Sequence, residues 1–459
     1  MNPRTRSLVQ TGLIASGALL AMAVWAGTPP EALKALDSTL TPIGAQRAGT
    51  SDGSIPAWSG KWLGAPPTVK YQPGDRYPDP YADEKPLFVI TAQNVAQHAA
   101  RLSDGQQAMF EKYPDSFKIP VYSSHRDFRR SDAVYKDIRT YAPNVEMIGA
   151  GNGLKGAGPT VPFPMPKSGL ELLWNLKYAE TIQSEKSIFD QAVVYPDGNI
   201  ARGKVKYDIW SPRSAIPFDP KSELVTRTYY RLATELPLNE RGTIMVGYAV
   251  YNSPEAITTR AWMYSPGTRR VRQAPEYGYD QPQGPGGFRT VDDDHLFNGS
   301  PERYQWRIVG KREIYVPYHN YRMLASSLKY GDFLTKNHAD PTNMRYELHR
   351  VWVLEATLKP GFRHLYAKRL IYLDEDSWVG LLSDNYDSRG ELWRTNIQTN
   401  VYAYDAQTFY PTAVFYHDLI SGAYLGDRLT NAGPMVVLNR NPDFNEAYFA
   451  PDAARGSGL

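Results

Sequence analysis

Four consecutive residues, Asp292-Asp293-Asp294-His295, form the densest group of acid–base or metal-ligating side chains in the chain. Carboxylates in number suit Ca²⁺ or Mg²⁺. Consecutive side chains on an extended segment point to alternate sides, however, and no spaced EF-hand pattern is present, so the run reads as a solvated loop near Gly286-Gly287. A second acidic run, Asp374-Glu375-Asp376, sits between strand patterns and reads as turn acids within reach of Lys368 or Arg369, a pairing worth little where it is exposed. Gly151, Gly153 and Gly156 make a formal G-x-G-x-x-G. Dinucleotide binding needs a helix directly after that pattern, and a Pro-rich run follows instead, so residues 149–175 read as a loop. Asn298-Gly299-Ser300 matches a glycosylation sequon, which carries no weight behind an N-terminus of bacterial look.

A hydrolase would need a nucleophile or a carboxylate pair placed by the fold. H-E-x-x-H is absent, and the 459 residues contain no Cys, which removes thiol catalysis, thiolate metal sites and lipoprotein acylation. Paired acids for glycoside cleavage stay open, because their separation is a tertiary property. The expectation is a protein that is not an enzyme and needs no metal and no cofactor. The abundance of Tyr and Trp keeps a glycan-binding or glycan-cleaving envelope protein as the alternative.

The elements that must position any such site begin after a leader. Arg4 and Arg6 precede an apolar stretch, Leu8 to Val24, and Val24-Trp25-Ala26 offers small residues at a cleavage position. Residues 1–26 read as a secretory signal cleaved near Ala26. An uncleaved anchor helix is the alternative, weakened by Gln10, Thr11, Gly12, Ser16 and Gly17. Without the leader 49 Lys and Arg face 48 Asp and Glu, so there is no electrostatic footprint for nucleic acid. The chain is 22% charged and 42% hydrophobic, a globular balance, and its 32 Tyr tilt the expectation toward strands.

Residues 27–90, rich in Pro and Gly, read as an irregular arm around a single domain over 91–459. A helix is predicted from Thr91 to Lys112 and a second from Ser131 to Tyr141, stopped by Pro143. After residue 180, alternating segments recur: Lys204–Trp210, Thr243–Tyr251, Ala256–Tyr264, Tyr304–Val309, Arg345–Lys359, Arg363–Leu373 and Ala413–His417. The turns at Asn252–Pro254 and Pro266-Gly267 join neighbours as hairpins. The fold class is α+β, with one large antiparallel sheet, strongly curved or partly closed. In Arg345–Lys359 one face carries Tyr346, Leu348, Arg350, Trp352, Leu354, Ala356 and Leu358. That face must be covered by the two helices, by another sheet or by a ligand.

Five ordered stretches, "LTPIGAQRAGTSDGSIPAW", "GPTVPFPMPKSGLELLWN", "WMYSPGTRRVRQAP", "RYELHRVWVLEATLKPGFRH" and "LDEDSWVGLLSDNYDSRGELWR", together resemble a family of bacterial envelope proteins, domain-of-unknown-function family thirteen twenty-nine. That family is related to outer-membrane lipoprotein-sorting proteins. The resemblance runs from about Leu40 to the C-terminus. It implies a half-open barrel closed by helices around an apolar cavity, and a non-enzymatic periplasmic carrier of a lipid or other hydrophobic ligand. It further implies a resistance-nodulation-division type transporter and an outer-membrane barrel protein as partners, with association to the outer membrane as one option. Trp58 then reads as a packing anchor for the arm.

Candidate ligand-binding residues are Tyr346, Leu348, Trp352 and Leu354 on the long strand, with Met245 and Met263, whose facing a one-residue slip would invert. Arg350 is either the partner of an anionic head group or a buried salt bridge.

Overall fold

The computed structural model describes residues 27–214, 227–251, 253–254, 259–274 and 277–456. The leader assigned to residues 1–26 lies outside them. Thirteen strands build the main sheet: β1 Ser184–Val194, β2 Ile200–Trp210, β3 Arg227–Leu236, β4 Ile244–Val250, β5 Thr259–Ser265, β6 Arg270–Ala274, β7 Tyr304–Pro317, β8 Tyr346–Leu358, β9 Lys368–Asp374, β10 Gly380–Tyr386, β11 Leu392–Ala403, β12 Thr408–Asp418 and β13 Tyr424–Leu429.

Their spatial order is β7 to β13, then β1 to β6, each pair antiparallel. Two meanders are thus joined where β13 lies against β1, with Leu425 opposite Val193. The terminal strands β7 and β6 are not paired with each other, so the sheet is open, which fits a half-open barrel. A parallel bridge from Val121 to Tyr346 brings in the short strands Phe88–Ile90 and Ile119–Val121, which makes the sheet mixed. The class is α+β, mostly β.

Three helices of nine or ten residues follow local signals. The stretch predicted as one helix from Thr91 is two 3₁₀ turns, and an α-helix, α1, spans only Asp104–Lys112. Ser103 causes the break. Its Oγ accepts from Gln106 N while Gln106 Oε1 accepts from Ser103 N, a capping box that starts a new helix after extended Leu102. Helix α2, Asp132–Tyr141, is capped by Ser131 and ends before Pro143. Helix α3, Gly169–Lys177, was not expected: it lies within the presumed loop, and Ser168 caps it by accepting from Glu171 N. The G-x-G-x-x-G glycines precede it in a hairpin, Glu146–Ile148 with Gly153–Lys155.

Helices α1 and α3 pack on the β7–β11 half of the sheet, and their Met109, Phe110, Leu172 and Leu173 join its core. The arm is pinned there too. Trp378 Nε1 donates to Ile43 O at 3.0 Å, and Arg126 donates to Gln46 O and Pro56 O. Gly44, at φ 101°, is the closest point, since a Cβ there would stand 1.9 Å from Pro164 O. Trp58 Nε1 donates to Phe128 O at 2.9 Å, with the Arg47 guanidinium over its ring.

The β1–β6 half is covered differently. Its outer face meets the C-terminal segment, where Phe444 and Phe449 pack on Tyr229, and Ala454 on Ile244 and Val246. The register places Glu185, Ser187 and Phe189 on the other face with Tyr207 and Ile209, Thr228, Tyr230 and Leu232, then Met245 and Ala249, then Thr259 and Met263. This face is hollow.

Candidate functional site: a two-chambered hollow with buried cations

Two adjoining cavities lie on that inner face. The larger, ≈ 120 Å³, is walled by Phe189, Tyr207, Ile209, Tyr230 and Leu232. The smaller, ≈ 100 Å³, holds Lys177, Glu180, Ser211 and Arg213. Ile209, Thr228, Tyr251, His295 and Asn298 belong to both. A volume near 120 Å³ is about that of an apolar cavity that accepts a benzene-sized group.

The wall opposite the sheet comes from residues 277–298. The acidic run expected to be a solvated loop is buried, with Asp292 and Asp293 at 2% and 0% exposure. Arg369 donates to Asp292 Oδ1 at 2.8 Å and to Asp293 Oδ1 at 3.2 Å, and His364 Nε2 lies 3.0 Å from Asp292 Oδ2. Burial alone would raise Asp292; Arg369 and His364 overcome it and hold the carboxyl well below the usual range. The 3₁₀ turn over Val291–Leu296 breaks at the next two residues, with Asp294 extended at ψ 136° and His295 left-handed at φ 51°. Asp294 and His295 line the larger chamber.

The floor is ionic. Arg428 donates to both oxygens of Glu185 and to Tyr410 Oη, and Arg289 Nε lies 3.0 Å from Asp427 Oδ2. His295 Nδ1 stands 2.8 Å from Glu180 Oε1. Burial opposes the imidazolium, but Glu180 and Asp294 prevail and raise His295 to about 9. These groups are matched, anion to cation.

The smaller chamber is not matched. Arg213 is 4% exposed and has no carboxylate within ion-pair distance among the described residues. Its Nη2 donates to Lys177 O at 3.2 Å, while Nε and Nη1 have no hydrogen-bond partner among the described residues. Aromatic faces hold it in place, with Tyr178 at 4.1 Å and Tyr251 at 4.8 Å from the guanidinium carbon. The Lys177 ammonium likewise lies among Trp174, Tyr251 and Phe297 and donates to Asn298 O at 2.9 Å. Burial lowers Lys177 to about 7, against the weaker pull of Asp292 and Glu302.

The residues singled out on the long strand are elsewhere. Strand β8 is buried on both faces, not one. Tyr346, Leu348 and Leu354 belong to the main core, and Trp352 stacks on Trp378 at 6.3 Å beneath the Lys311 ammonium. Arg350 donates to the arm carbonyl of Ala48 at 2.9 Å and lies 3.9 Å from Glu313, so it fastens the arm rather than facing a cavity. None of these lines the hollow. Met245 and Met263 are on the hollow's face of the sheet, Met245 opposite Leu232 and Met263 opposite Met245, but beyond its lining residues, and Met263 is 40% exposed. The missed cations had a signal: Ser168 and the spacing of Leu172, Leu173 and Leu176 mark a helix ending at Lys177.

One further group could hold a cation. Ligand atoms of His349, Asp374 and Asp376 lie within 4.8 Å of one another. One imidazole and two carboxylates suit Zn²⁺ or Mn²⁺. Both oxygens of Asp376 already accept from Arg126, at 2.6 and 2.8 Å, so a metal would have to displace a guanidinium. Asp374 accepts from Tyr318 Oη and Ser377 Oγ, and burial together with Asp376 pushes it up to about 6. Asp374, Glu375 and Asp376 are therefore buried groups bound to Tyr318, Lys311 and Arg126, not the exposed partners of Lys368 or Arg369. A formal G-x-S-x-G at residues 49–53 is an exposed turn of the arm at Ser51, without the strand-to-helix bend of a nucleophile elbow.

A family model described as a protein of unknown function (DUF1329) matches residues 89–455. An uncharacterized protein of Pseudomonas aeruginosa is 37% identical over 460 residues and covers 99% of both chains. Among solved structures, a DUF1329 family protein from Desulfovibrio piger is 14% identical, covering 62% of this chain and 97% of its own at a TM-score of 0.42. A LolA superfamily protein from Nitrosomonas europaea is 13% identical, covering 63% and 100% at a TM-score of 0.35. No helix among the described residues is long and apolar enough to cross a membrane.

Proposed function

This chain belongs to the DUF1329 family of proteins of unknown function, and from the hollow we propose that it is a non-enzymatic carrier of a lipid or other hydrophobic ligand. One observation supports the reading most: an internal space whose wall is Phe189, Tyr207, Ile209, Tyr230 and Leu232, left open by the very sheet that elsewhere packs tightly. Apolar burial would supply affinity at about 25 cal/mol per Å² removed from water. The acids around the hollow are tied to cations, Glu185 to Arg428, Asp427 to Arg289 and Glu180 to His295, which favours holding a molecule over transforming one.

The proposal extends to place. An exported chain, freed of residues 1–26, would work in the periplasm beside an envelope transporter and an outer-membrane barrel partner, as the family resemblance implies. Cross-linking in intact envelopes, followed by identification of attached proteins, tests that part.

Organic extraction of the purified protein, with mass spectrometry of the extract, tests the central claim. A co-purified amphiphile at near-stoichiometric amount is expected, and a fluorescent fatty-acid probe should be displaced by it. No lipid in the extract and no probe uptake at micromolar concentration would sink the carrier reading, and oligosaccharides would be the next ligands to measure.

A further inference from the structure

We propose that the smaller chamber is an anion subsite, in which Arg213 and Lys177 bind the carboxylate or phosphate group of an amphiphile whose apolar part lies against Ile209, Tyr230 and Leu232. The proposal rests on the carrier reading for its apolar half and on independent observations for its anionic half.

The first observation is the unbalanced charge. Every other buried guanidinium around the hollow faces a carboxylate, Arg289 facing Asp427 and Arg428 facing Glu185. Arg213 faces none among the described residues, although it is 4% exposed. An unpaired buried charge is costly, and a chain retains it where a ligand completes the pair. The second is the state of its donors. Nε and Nη1 of Arg213 are without acceptors among the described residues, so the guanidinium keeps two sides from which it can give a charge-assisted hydrogen bond to a carboxylate or phosphate oxygen. The third is the second cation. Lys177 lines the same chamber and is likewise held by aromatic faces rather than by an acid. Tyr251 serves both, since it lies against Arg213 and Lys177. Rings position the two cations without neutralising them.

Two acids line the chamber, Glu180 and Glu185, and Glu185 is taken by Arg428. Glu180 is occupied by His295 at 2.8 Å. Ser211 and Thr228, joined hydroxyl to hydroxyl at 2.9 Å, add neutral donors at the passage to the larger chamber. A phosphate from a lipid head and a free inorganic phosphate share this chemistry, and the apolar wall separates them.

Calorimetry with decanoate, decyl phosphate, decanol and inorganic phosphate, on the full chain and on Arg213→Met and Arg213→Lys, tests the subsite. Methionine keeps most of the apolar stem against Tyr178 and Tyr251. Wild-type protein should bind decanoate and decyl phosphate roughly tenfold or more tighter than decanol, the margin of one charge-assisted pair. Arg213→Met should erase that ratio, and Arg213→Lys should restore part of it. Equal binding of decanoate and decanol by the wild type, or a ratio that survives Arg213→Met, overturns the subsite and leaves the carrier. Binding of inorganic phosphate that depends on Arg213, without uptake of any decyl probe, upholds the anion site and removes the carrier. Failure of all four ligands overturns both.

Discussion

Arg428, on β13, donates to both carboxylate oxygens of Glu185, on β1, at 2.9 and 3.2 Å. The pair crosses the seam where the two meanders of the sheet meet, beneath the larger chamber. Arg428 sits at φ 56°, within the register shift between Gly426 and Leu429, and that bulge is what turns its side chain toward Glu185 and Tyr410. Removing one partner would strand a buried charge. Arg428→Met should lower stability by about 3–5 kcal/mol in urea unfolding, and Glu185→Gln combined with it should recover a large part. Additive losses in the double variant would mean that the two side chains are not coupled across the seam.

The long strand is core. Trp352→Ala would leave space beside Trp378 under Lys311, and because Trp352 is only half-buried the cost should be about 2–4 kcal/mol, at the lower end for a tryptophan. Affinity for a fatty-acid probe should stay as in the wild type. Leu232→Gln is the counterpart, since it places an amide in the chamber wall and should weaken probe uptake several-fold with a smaller loss of stability. A reversal of these two outcomes would return the ligand to the strand of Trp352.

His295 gives a pH signature. Its folded pKa, about 9, is above the ordinary 6.5, so its contribution to stability is complete below about pH 6.5 and is lost as pH rises through 9. The full contribution is at most about 3 kcal/mol, less whatever solvent removes from a side chain 26% exposed. Melting temperatures of wild type and His295→Gln should converge between pH 6.5 and 9.5. Parallel curves over that interval would show that Glu180 does not hold the imidazolium.

How much of this was legible in the sequence depends on the range of the cause. Ser131 and Pro143 bound a helix because caps and breakers act within a few residues, and β8 was readable because thirteen residues with β-branched and aromatic side chains run without a Gly or Pro to break them. Helix α1 was overextended because Ser103 and Gln106 cap from inside what looked like one periodic run. The site was hidden for another reason. Glu185 and Arg428 are 243 residues apart, and the strands of the hollow, with Lys204, Lys206 and Arg231 on their outer face and Phe189, Tyr207 and Tyr230 within, do not look more apolar than any surface strand. The acids at 292–294 could not be placed until Arg369 was seen opposite them, because a carboxylate looks the same in sequence whether solvent or a guanidinium answers it.

Lys177 supplies the last prediction, and its sign is opposite to that of His295. Its pKa is lowered by burial to about 7, so folding disfavours the charged form, and this penalty on stability fades as pH rises from 7 toward 10.5. For an anionic ligand the relation inverts. A bound carboxylate favours the ammonium, so below pH 7 the site is already charged and affinity is flat, whereas above pH 7 each binding event must take up a proton. The groups around Lys177 do not mask this. Asp292 and Glu302 are carboxylates, Arg213 is a guanidinium, and His295, on the facing segment and paired with Glu180, titrates near 9. The affinity for decanoate should therefore fall by up to about tenfold per pH unit between 7 and 8.5, while that for decanol stays level. Lys177→Arg, charged at every pH used, should flatten the decanoate profile, with the protonation that accompanies binding, read as buffer-dependent heat in calorimetry, falling to zero. If wild-type decanoate affinity is level from pH 6 to 8.5, and no proton is taken up, Lys177 is not a partner of the head group and Arg213 alone carries the anion.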